Sequence, residues 1–374
     1  MPKVGKHIYK RKDGRWEGRY VIGHVNGRAR YGSVYAASCK EVRKKLDIAK
    51  LEAKQDREKI HLSPARAGSV SEISKCWLAE ESSDLKESSI IKYENILRCY
   101  ILPEFGETDL SGITNEHLIH FVNNLKTSGG VKKQGLAPST ISEVITTMNA
   151  LRIYALKRDF TVSFSTECIT IRQDKKEIRV FSLSEERILI TYLRKNMDLT
   201  AIGILICLYT GIRVGELCAL TWDEINLNEK TMKIGRTMQR LHVKGKEYKT
   251  EVKILEPKSK RSIRMIPLPD VLIEILKNKE CEGAFVLTGS KKKYAEPRVM
   301  QNRFKRILKN CGIEDANFHT TRHTFATRCV ELGFDIKSLS EILGHSSVTI
   351  TMNKYVHPTM ELKAENMNRF TGLF

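Results

Sequence analysis

The stretch Asn317–His357, NFHTTRHTFATRCVELGFDIKSLSEILGHSSVTITMNKYVH, contains the residues that best indicate the chemistry of the C-terminal half of this 374-residue chain. It contains His319 and Arg322, then His345 behind a Leu-Gly pair, then Tyr355. An arginine can hold phosphate oxygens, a histidine can donate or shuttle a proton, and a tyrosine can act as a nucleophile. This combination of residue types indicates chemistry at a phosphodiester.

Helical periodicity organises the same stretch. We predict helices over Phe318–Leu332 and Ile336–Leu343. Because residues three apart on a helix share a face, His319 and Arg322 should point together. His323 should point elsewhere and serve packing or hydrogen bonding.

A further motif, TGIRVGEL, lies upstream at Thr210–Leu217. It follows an apolar helical segment and places Arg213 at the start of a short helix. Backbone N–H groups at such a position already favour an anion, so Arg213 is a candidate phosphate ligand. The alternative for Arg213 is a structural ion pair with Glu216 or Glu224.

The last motif is PKSKR, at residues 257–261. Lys258 lies in the turn before a predicted strand, and Lys260 is an alternative candidate two residues away. The short strands predicted in this region are Thr231–Ile234, Val252–Glu256 and Ser262–Pro267.

In this order the five motifs resemble the active site of the tyrosine recombinases, the integrases of temperate phages and conjugative transposons. The resemblance covers about residues 180–374 strongly and the remainder more loosely. TGIRVGEL matches the family pattern TGxRxxEL, and the spacing of ten residues between His345 and Tyr355 is usual in the family. The resemblance implies six catalytic residues, namely Arg213, Lys258, His319, Arg322, His345 and Tyr355.

The reaction that the resemblance implies begins with attack by Tyr355 on a DNA phosphate, giving a 3′-phosphotyrosyl enzyme and a free 5′-hydroxyl. The two arginines would hold the non-bridging oxygens, and Lys258 would protonate the leaving 5′-oxygen. His319 would accept the tyrosine proton, and His345 would donate a hydrogen bond to the phosphate. Two strand exchanges would pass through a four-way junction on which the family assembles four protomers.

Such chemistry needs neither a metal nor a nucleotide cofactor, and the sequence agrees with both expectations. It has no P-loop and no H-E-x-x-H motif, and its nine cysteines include no C-x-x-C pair. Unpaired cysteines and the lack of a secretion signal predict a cytoplasmic protein, and the resemblance implies a bacterial host. The most apolar segment, Ala201–Tyr209, is too short to span a bilayer, so no membrane association is expected.

The formal net charge of +20 is unevenly distributed along the chain. Residues 1–66 contain 18 Lys and Arg against 7 Asp and Glu, a difference of +11. An excess of this kind attracts polyanions, and each phosphate that is neutralised releases counterions. Double-stranded DNA is therefore the expected partner, with a membrane surface or a solvated charge run as the alternative.

The N-terminal region predicts three short strands, because Asp-Gly and Asn-Gly turn signals separate its β-rich segments. These strands are His7–Lys12, Arg15–Ile22 and Arg28–Tyr35, and a helix with a capping box at Ser38 follows them. One face of the sheet carries Trp16 and Tyr20 for the helix to cover, which leaves an arginine-bearing face free. The arrangement looks like the arm-binding domain of many such integrases, with Arg15, Arg19, Arg28 and Arg30 as DNA contacts. The alternative is a small solvated module.

The next region reads as a helical bundle, similar to the core-binding domain of the family. Its predicted helices are Val70–Glu80, Ser88–Cys99, Asn115–Lys126 and Pro138–Lys157. A purely structural bundle is the alternative. The predicted protein is thus multidomain α+β, with an arm-type DNA-binding domain at 1–66, a core-binding domain at 67–160 and a mainly α catalytic domain with a small antiparallel sheet at 178–374.

Several partners and alternatives stay open at the sequence level. A homotetramer on DNA is expected at core and arm sites, with the amphipathic C-terminal tail docked in trans and an excision helper protein as a further partner. A type IB topoisomerase has a similar site but reseals the same strand, and the separate basic N-terminal module favours the recombinase. A non-catalytic DNA-binding regulator would lack part of the set, yet all six residues are present. The sequence does not separate a phage from a conjugative element.

Overall fold

The computed structural model describes residues 8–11, 14–25, 28–60, 67–81, 83, 85–130, 133–172, 177–242, 250–256, 263–356 and 368. The chain forms two compact units. One comprises Met1–Leu85 and Lys92–Gln173, and the other comprises Lys86–Ile91 and Asp174–Phe374. The division into three domains stays a prediction.

The N-terminal part is an antiparallel sheet covered by one helix, as predicted. Its elements are β1 (Ile8–Lys10), β2 (Trp16–Val25), β3 (Arg28–Ala36) and α1 (Cys39–Ile60), with the strands in the order β1-β2-β3. The helix begins where the Ser38 hydroxyl accepts a hydrogen bond from the Glu41 N–H at 3.2 Å. Val42 and Leu46 are buried against the face that carries Trp16 and Tyr20. The opposite face carries Glu17 and Arg19.

A second buried cluster holds the middle helices together. These are α2 (Val70–Glu81), α3 (Glu87–Ile96), α4 (Leu102–Phe105), α5 (Asn115–Ser128) and α6 (Pro138–Leu156). A π-helical turn over Leu97–Ile101 joins α3 to α4. Pro103 lies in α4, directly after this π-helical turn.

The remaining elements surround a third and larger cluster. Its helices are α7 (Leu183–Lys195), α8 (Leu199–Thr210), α9 (Val214–Ala219), α10 (Asp270–Leu276), α11 (Pro297–Asn310), α12 (His319–Glu331), α13 (Ile336–Leu343) and α14 (Val348–Tyr355). Its strands are β4 (Ile225–Asn226), β5 (Thr231–Ile234), β6 (Thr237–His242), β7 (Thr250–Leu255) and β8 (Arg264–Pro267). They pair as an antiparallel sheet β4-β5-β8 and a hairpin β6-β7, of which β6 was not predicted. The predicted fold class, a multidomain α+β protein with a mainly helical C-terminal part, is confirmed.

The last three helices carry a small buried cluster of their own. Its members are Ala326, Cys329, Leu339, Leu343 and Tyr355. Gly344 ends α13 in the left-handed conformation, with φ of 66°. The turn redirects the chain so that α14 returns to pack against α12.

Candidate active site

Arg213 lies where α8 gives way to α9. Gly211 ends α8 with φ of 66°, and Arg213 precedes the first residue of α9. The Arg213 N–H donates to Glu216 Oε2 at 2.8 Å, and its Nη1 donates to Glu216 Oε1 at 2.9 Å. The ion pair with Glu216 that was the alternative for Arg213 is therefore present. With 39% of its side chain exposed, the guanidinium also remains open to an incoming anion.

Glu216 binds a second arginine that sequence reasoning did not single out. Arg264 of β8 donates to the two Glu216 carboxylate oxygens at 2.9 and 3.2 Å, and both side chains are less than a tenth exposed. Arg264 Nε also donates to the Ile342 carbonyl at 2.6 Å. Burial acts to raise the pKa of Glu216, but hydrogen bonds and charge from Arg264, together with the charge of Arg213, hold it below its usual value. The strand alternation that buries Ile266 beside Arg264 is the signal that could have found it.

Arg322 is buried, with 2% of its surface exposed. Its Nη1 donates to the Gly211 carbonyl at 2.8 Å and its Nη2 to the Leu343 carbonyl at 2.7 Å. Burial, reinforced by the charge of Arg213, lowers the pKa of Arg322 to about 9. Two carbonyls from different elements thus orient the guanidinium, and Arg213 Nη2 donates to the next carbonyl, that of Gly344, at 3.4 Å.

His345 lies directly after Gly344, the residue that ends α13. One of its ring nitrogens, Nδ1, is 2.7 Å from Thr351 Oγ1. The ring stacks on Tyr355 with the planes 5° apart and the centroids at 6.4 Å. Burial, with the positive charges of Arg322 and Arg213, lowers the pKa of His345 to about 3, so the imidazole is neutral at physiological pH.

Tyr355 ends α14 and is 6% exposed. Its hydroxyl lies 2.8 Å from His323 Nδ1. The expectation that His323 points away from the site is therefore wrong, although its expected role in hydrogen bonding is present. Burial raises the pKa of Tyr355, and the charges of Arg322 and Arg213 oppose that rise.

His319 lies beside His323 and is exposed to solvent. The two rings meet edge to face, with centroids 4.6 Å apart and planes at 89°. Desolvation by the surrounding atoms, then the charges of His323 and Arg322, lower the pKa of His319 to about 4. His319, Arg322, His323, His345 and Tyr355 thus come together, and the hydroxyl contacts His323 rather than His319.

A cavity of about 310 Å³ opens next to His319 and Arg322. Helix α11 lines it with Arg298, Gln301 and Lys305, none of which stood out in the sequence. The cavity therefore extends the positive lining of the site beyond the motif residues.

Some predicted site residues lie outside the described part of the chain. Lys258 and Lys260 belong to this group, and so do the side chains of Arg28 and Arg30. On the free face of the N-terminal sheet, Arg19 pairs with Glu17 at 2.9 Å. The guanidinium of Arg15 lies 5.8 Å from the centre of the Tyr35 ring.

Within the described residues, no three His, Cys, Asp or Glu side chains are grouped as metal ligands would be. All nine cysteines are free thiols. No helix in the described part of the chain is long and apolar enough to cross a membrane.

Known proteins resemble this chain in sequence and fold. The model of the phage integrase family matches residues 180–361, and that of the phage integrase N-terminal SAM-like domain matches residues 69–126. Over 327 residues the chain is 30% identical to the "Tyrosine recombinase XerC-like" protein of Caldanaerobacter subterraneus subsp. tengcongensis, covering 80% of this chain and 81% of that one. An integrase of Saccharopolyspora erythraea is 23% identical over 449 residues, covering 100% of this chain and 97% of that one.

Solved structures share the fold. The Tn1549 transposon integrase in complex with transposon right end DNA has a TM-score of 0.65 at 21% identity, over 80% of this chain and 99% of that chain. A lambda integrase tetramer bound to a Holliday junction has a TM-score of 0.54 at 14% identity, over 93% of this chain and 98% of that chain. The chain belongs to the phage integrase family, whose members are tyrosine recombinases. It is a site-specific recombinase, an enzyme of DNA integration and recombination.

Proposed function

We propose that this recombinase integrates and excises a mobile element by cutting and rejoining double-stranded DNA through a 3′-phosphotyrosyl intermediate. The observation that carries the proposal is the convergence of Arg213, Arg322, His345 and Tyr355 on the loop between α13 and α14. Two guanidinium groups and one phenol at a single loop fit a phosphate with an attacking oxygen beside it.

In the proposed reaction the Tyr355 oxygen attacks phosphorus while Arg213 and Arg322 stabilise the charge that grows on the non-bridging oxygens. His345, beside the phenol ring, donates a hydrogen bond to the phosphate. The bond to the 5′-oxygen breaks, and Lys258 supplies the proton that this oxygen needs to leave. A 5′-hydroxyl from another duplex then attacks the phosphotyrosine and releases the enzyme. The bond energy is kept in the ester, so the scheme uses no metal or nucleotide cofactor.

Strand exchange between two duplexes places four protomers around a four-way junction. The lambda integrase tetramer bound to a Holliday junction, which shares this fold, supports that assembly. We assign the segment after Tyr355 to contacts in trans, because residues 359–374 include six large apolar side chains among polar ones. An excision helper protein is a further proposed partner of the same assembly.

Removing residues 359–374 tests the assembly step. We expect the shortened chain to bind a single crossover site normally but to need a higher concentration to form four-protomer complexes, as resolved on native gels with junction DNA. Four-protomer complexes at an unchanged concentration would show that the tail does not link protomers.

Tyr355→Phe tests the chemistry, because it removes one oxygen atom and leaves the ring in its cluster. We expect unchanged affinity for a nicked duplex carrying the crossover site, but no covalent protein–DNA adduct. Denaturing gels measure the adduct, and gel shifts on the same duplex provide the binding control. An adduct that persists in Tyr355→Phe would assign the nucleophile to another residue.

A further inference from the structure

His323 contacts the atom that the proposed reaction uses as its nucleophile. Its Nδ1 lies 2.8 Å from the Tyr355 hydroxyl oxygen, and the two ring centroids are 5.7 Å apart. The bond can run in either sense, depending on which nitrogen of the imidazole carries the proton. With that proton on Nε2, the phenol donates to a free lone pair on Nδ1.

The surroundings of the pair favour this sense. The phenol is almost fully buried, and burial raises the pKa of Tyr355, so the hydroxyl is protonated before reaction. Burial also lowers the pKa of His323 to about 4, with Lys354 and Arg322 adding to the effect, so its imidazole is neutral at physiological pH. A protonated phenol beside a neutral imidazole is the pairing that general-base catalysis requires.

We propose that His323 is the general base of the cleavage step, a proposal that rests on the proposed function. As the Tyr355 oxygen forms its bond to phosphorus, the hydroxyl proton passes to His323 Nδ1, while the bond between phosphorus and the 5′-oxygen breaks and Lys258 protonates that oxygen. In the rejoining step an incoming 5′-hydroxyl forms the bond to phosphorus and gives its proton to Lys258. The phosphotyrosyl bond breaks, and the imidazolium returns its proton to the phenol oxygen.

His319 takes a supporting position in this scheme. Its ring lies edge to face against His323, 4.6 Å away between centroids, rather than at the hydroxyl. This geometry lets His319 fix the orientation of the base. It also makes His319 the matched control, since the two histidines lie one helical turn apart on α12.

The test uses the full chain and a nicked duplex that carries the crossover site from the ends of its own element. Cleavage is followed in a single turnover for His323→Ala and His323→Gln, with either tyrosine or a fluorinated tyrosine at position 355. Loss of a general base slows cleavage by a factor on the order of 10²–10⁴. Fluorine makes the phenol more acidic, so it needs less help from a base. Removal of His323 should therefore slow cleavage in the protein with fluorotyrosine by a factor at least roughly ten times smaller than in the protein with tyrosine.

His323→Gln separates catalysis from positioning. Its amide can hold the phenol by a hydrogen bond but is not basic, so we expect no recovery of rate over His323→Ala. Recovery with Gln, or an equal loss with both tyrosines, would overturn the proposal and leave His323 as a positioning residue. Rescue by fluorotyrosine in His319→Ala but not in His323→Ala would move the base to His319. If the unmodified chain forms no adduct on this duplex, the proposed function itself fails, which is a separate result.

Discussion

At the scale of single residues, the buried guanidinium of Arg322 keeps its positive charge and a fixed orientation. Its guanidinium has lost water, but two main-chain carbonyls replace that water at 2.7 and 2.8 Å. A pKa of about 9 still leaves the group protonated at neutral pH. Because the cost of desolvation is met during folding, a phosphate that reaches Arg322 meets a positive charge whose dipolar surroundings are already fixed.

Lys258 can be tested through the chemistry of the leaving group. An ordinary 5′-oxygen needs a proton in the transition state, whereas a bridging 5′-sulfur leaves as a thiolate, whose conjugate acid has a pKa of about 8.5 in cysteine. We expect Lys258→Ala to slow cleavage of normal DNA by a factor on the order of 10²–10⁴. On a 5′-phosphorothiolate duplex the variant should recover much of its rate, as measured in single-turnover cleavage.

Two controls sharpen the Lys258 experiment. Arg213→Ala should show no recovery on the sulfur substrate, because it stabilises the phosphate rather than the leaving group. Equal defects of Lys258→Ala on both substrates would mean that this lysine positions DNA. Rescue of Lys260→Ala alone would transfer the role to Lys260.

The residue scale also shows what the sequence could and could not reveal. Motif order predicted Arg213, Arg322, His345 and Tyr355 as site residues, and the structure brings these four together. The contact between His323 and Tyr355 was missed because it spans 32 residues and depends on how α14 packs against α12. No local pattern encodes that packing.

At the scale of elements, Glu216 joins α9 to β8 and, through its arginines, to the end of α13. Arg264 is held by Glu216 and by the Ile342 carbonyl, while Arg213 reaches the Gly344 carbonyl. A Cβ on Gly344 would lie 2.9 Å from Arg264 Nη1, so the loop and the ion pair are in close contact. The elements that carry Arg213 and Arg322, the two arginines proposed to bind phosphate, are thereby fixed to one another.

Glu216→Gln should therefore destabilise the protein and slow cleavage. The amide removes the negative charge that faces the buried Arg264, and breaking a buried ion pair costs about 3–5 kcal/mol in the free energy of unfolding. Urea denaturation measures that cost. Glu274→Gln is the matched control, because Glu274 and Lys277 form an exposed pair at 2.6 Å. Its expected effect is within about 1 kcal/mol.

An equal, small change in both variants would show that the Glu216 network does not stabilise this fold.

The same scale explains which elements could be located from the sequence and which could not. Helix α8 follows from its continuous apolar run, whereas β6 was missed because its pairing with β7 is a contact made outside its own segment.

At the scale of the whole molecule, the N-terminal sheet and its helix have a hydrophobic cluster separate from that of the middle helices. Deleting residues 1–66 removes a charge of +11 and should leave the rest of the chain folded. We expect cleavage at the crossover site to be retained and binding at a second, more distant site to be lost. Footprinting on the ends of the element measures both.

Survival of both footprints in the shortened chain would refute the arm-site assignment. The free face of the sheet is the surface assigned to arm-site DNA. Tyr31 and Tyr35 are 59% and 41% exposed on it, beside Arg15 and Arg19. A matched variant with Arg15 and Arg19 both changed to Ala removes only two charges, and circular dichroism shows whether the sheet is kept once Glu17 has lost Arg19. It should weaken binding at the distant site and reduce the dependence of that binding on salt.

Tyr355 is buried among the side chains of α12 and α13, and this burial affects how long the proposed phosphotyrosyl ester would survive. A phosphotyrosyl ester that water could reach would hydrolyse, and the cut strand would be left as an unrepaired break. A site that excludes water prevents such side reactions. With 6% of its surface exposed, Tyr355 would hold the DNA end where a positioned hydroxyl from another strand competes with few water molecules. In the proposed reaction the covalent intermediate would therefore persist until the partner duplex supplies its 5′-hydroxyl.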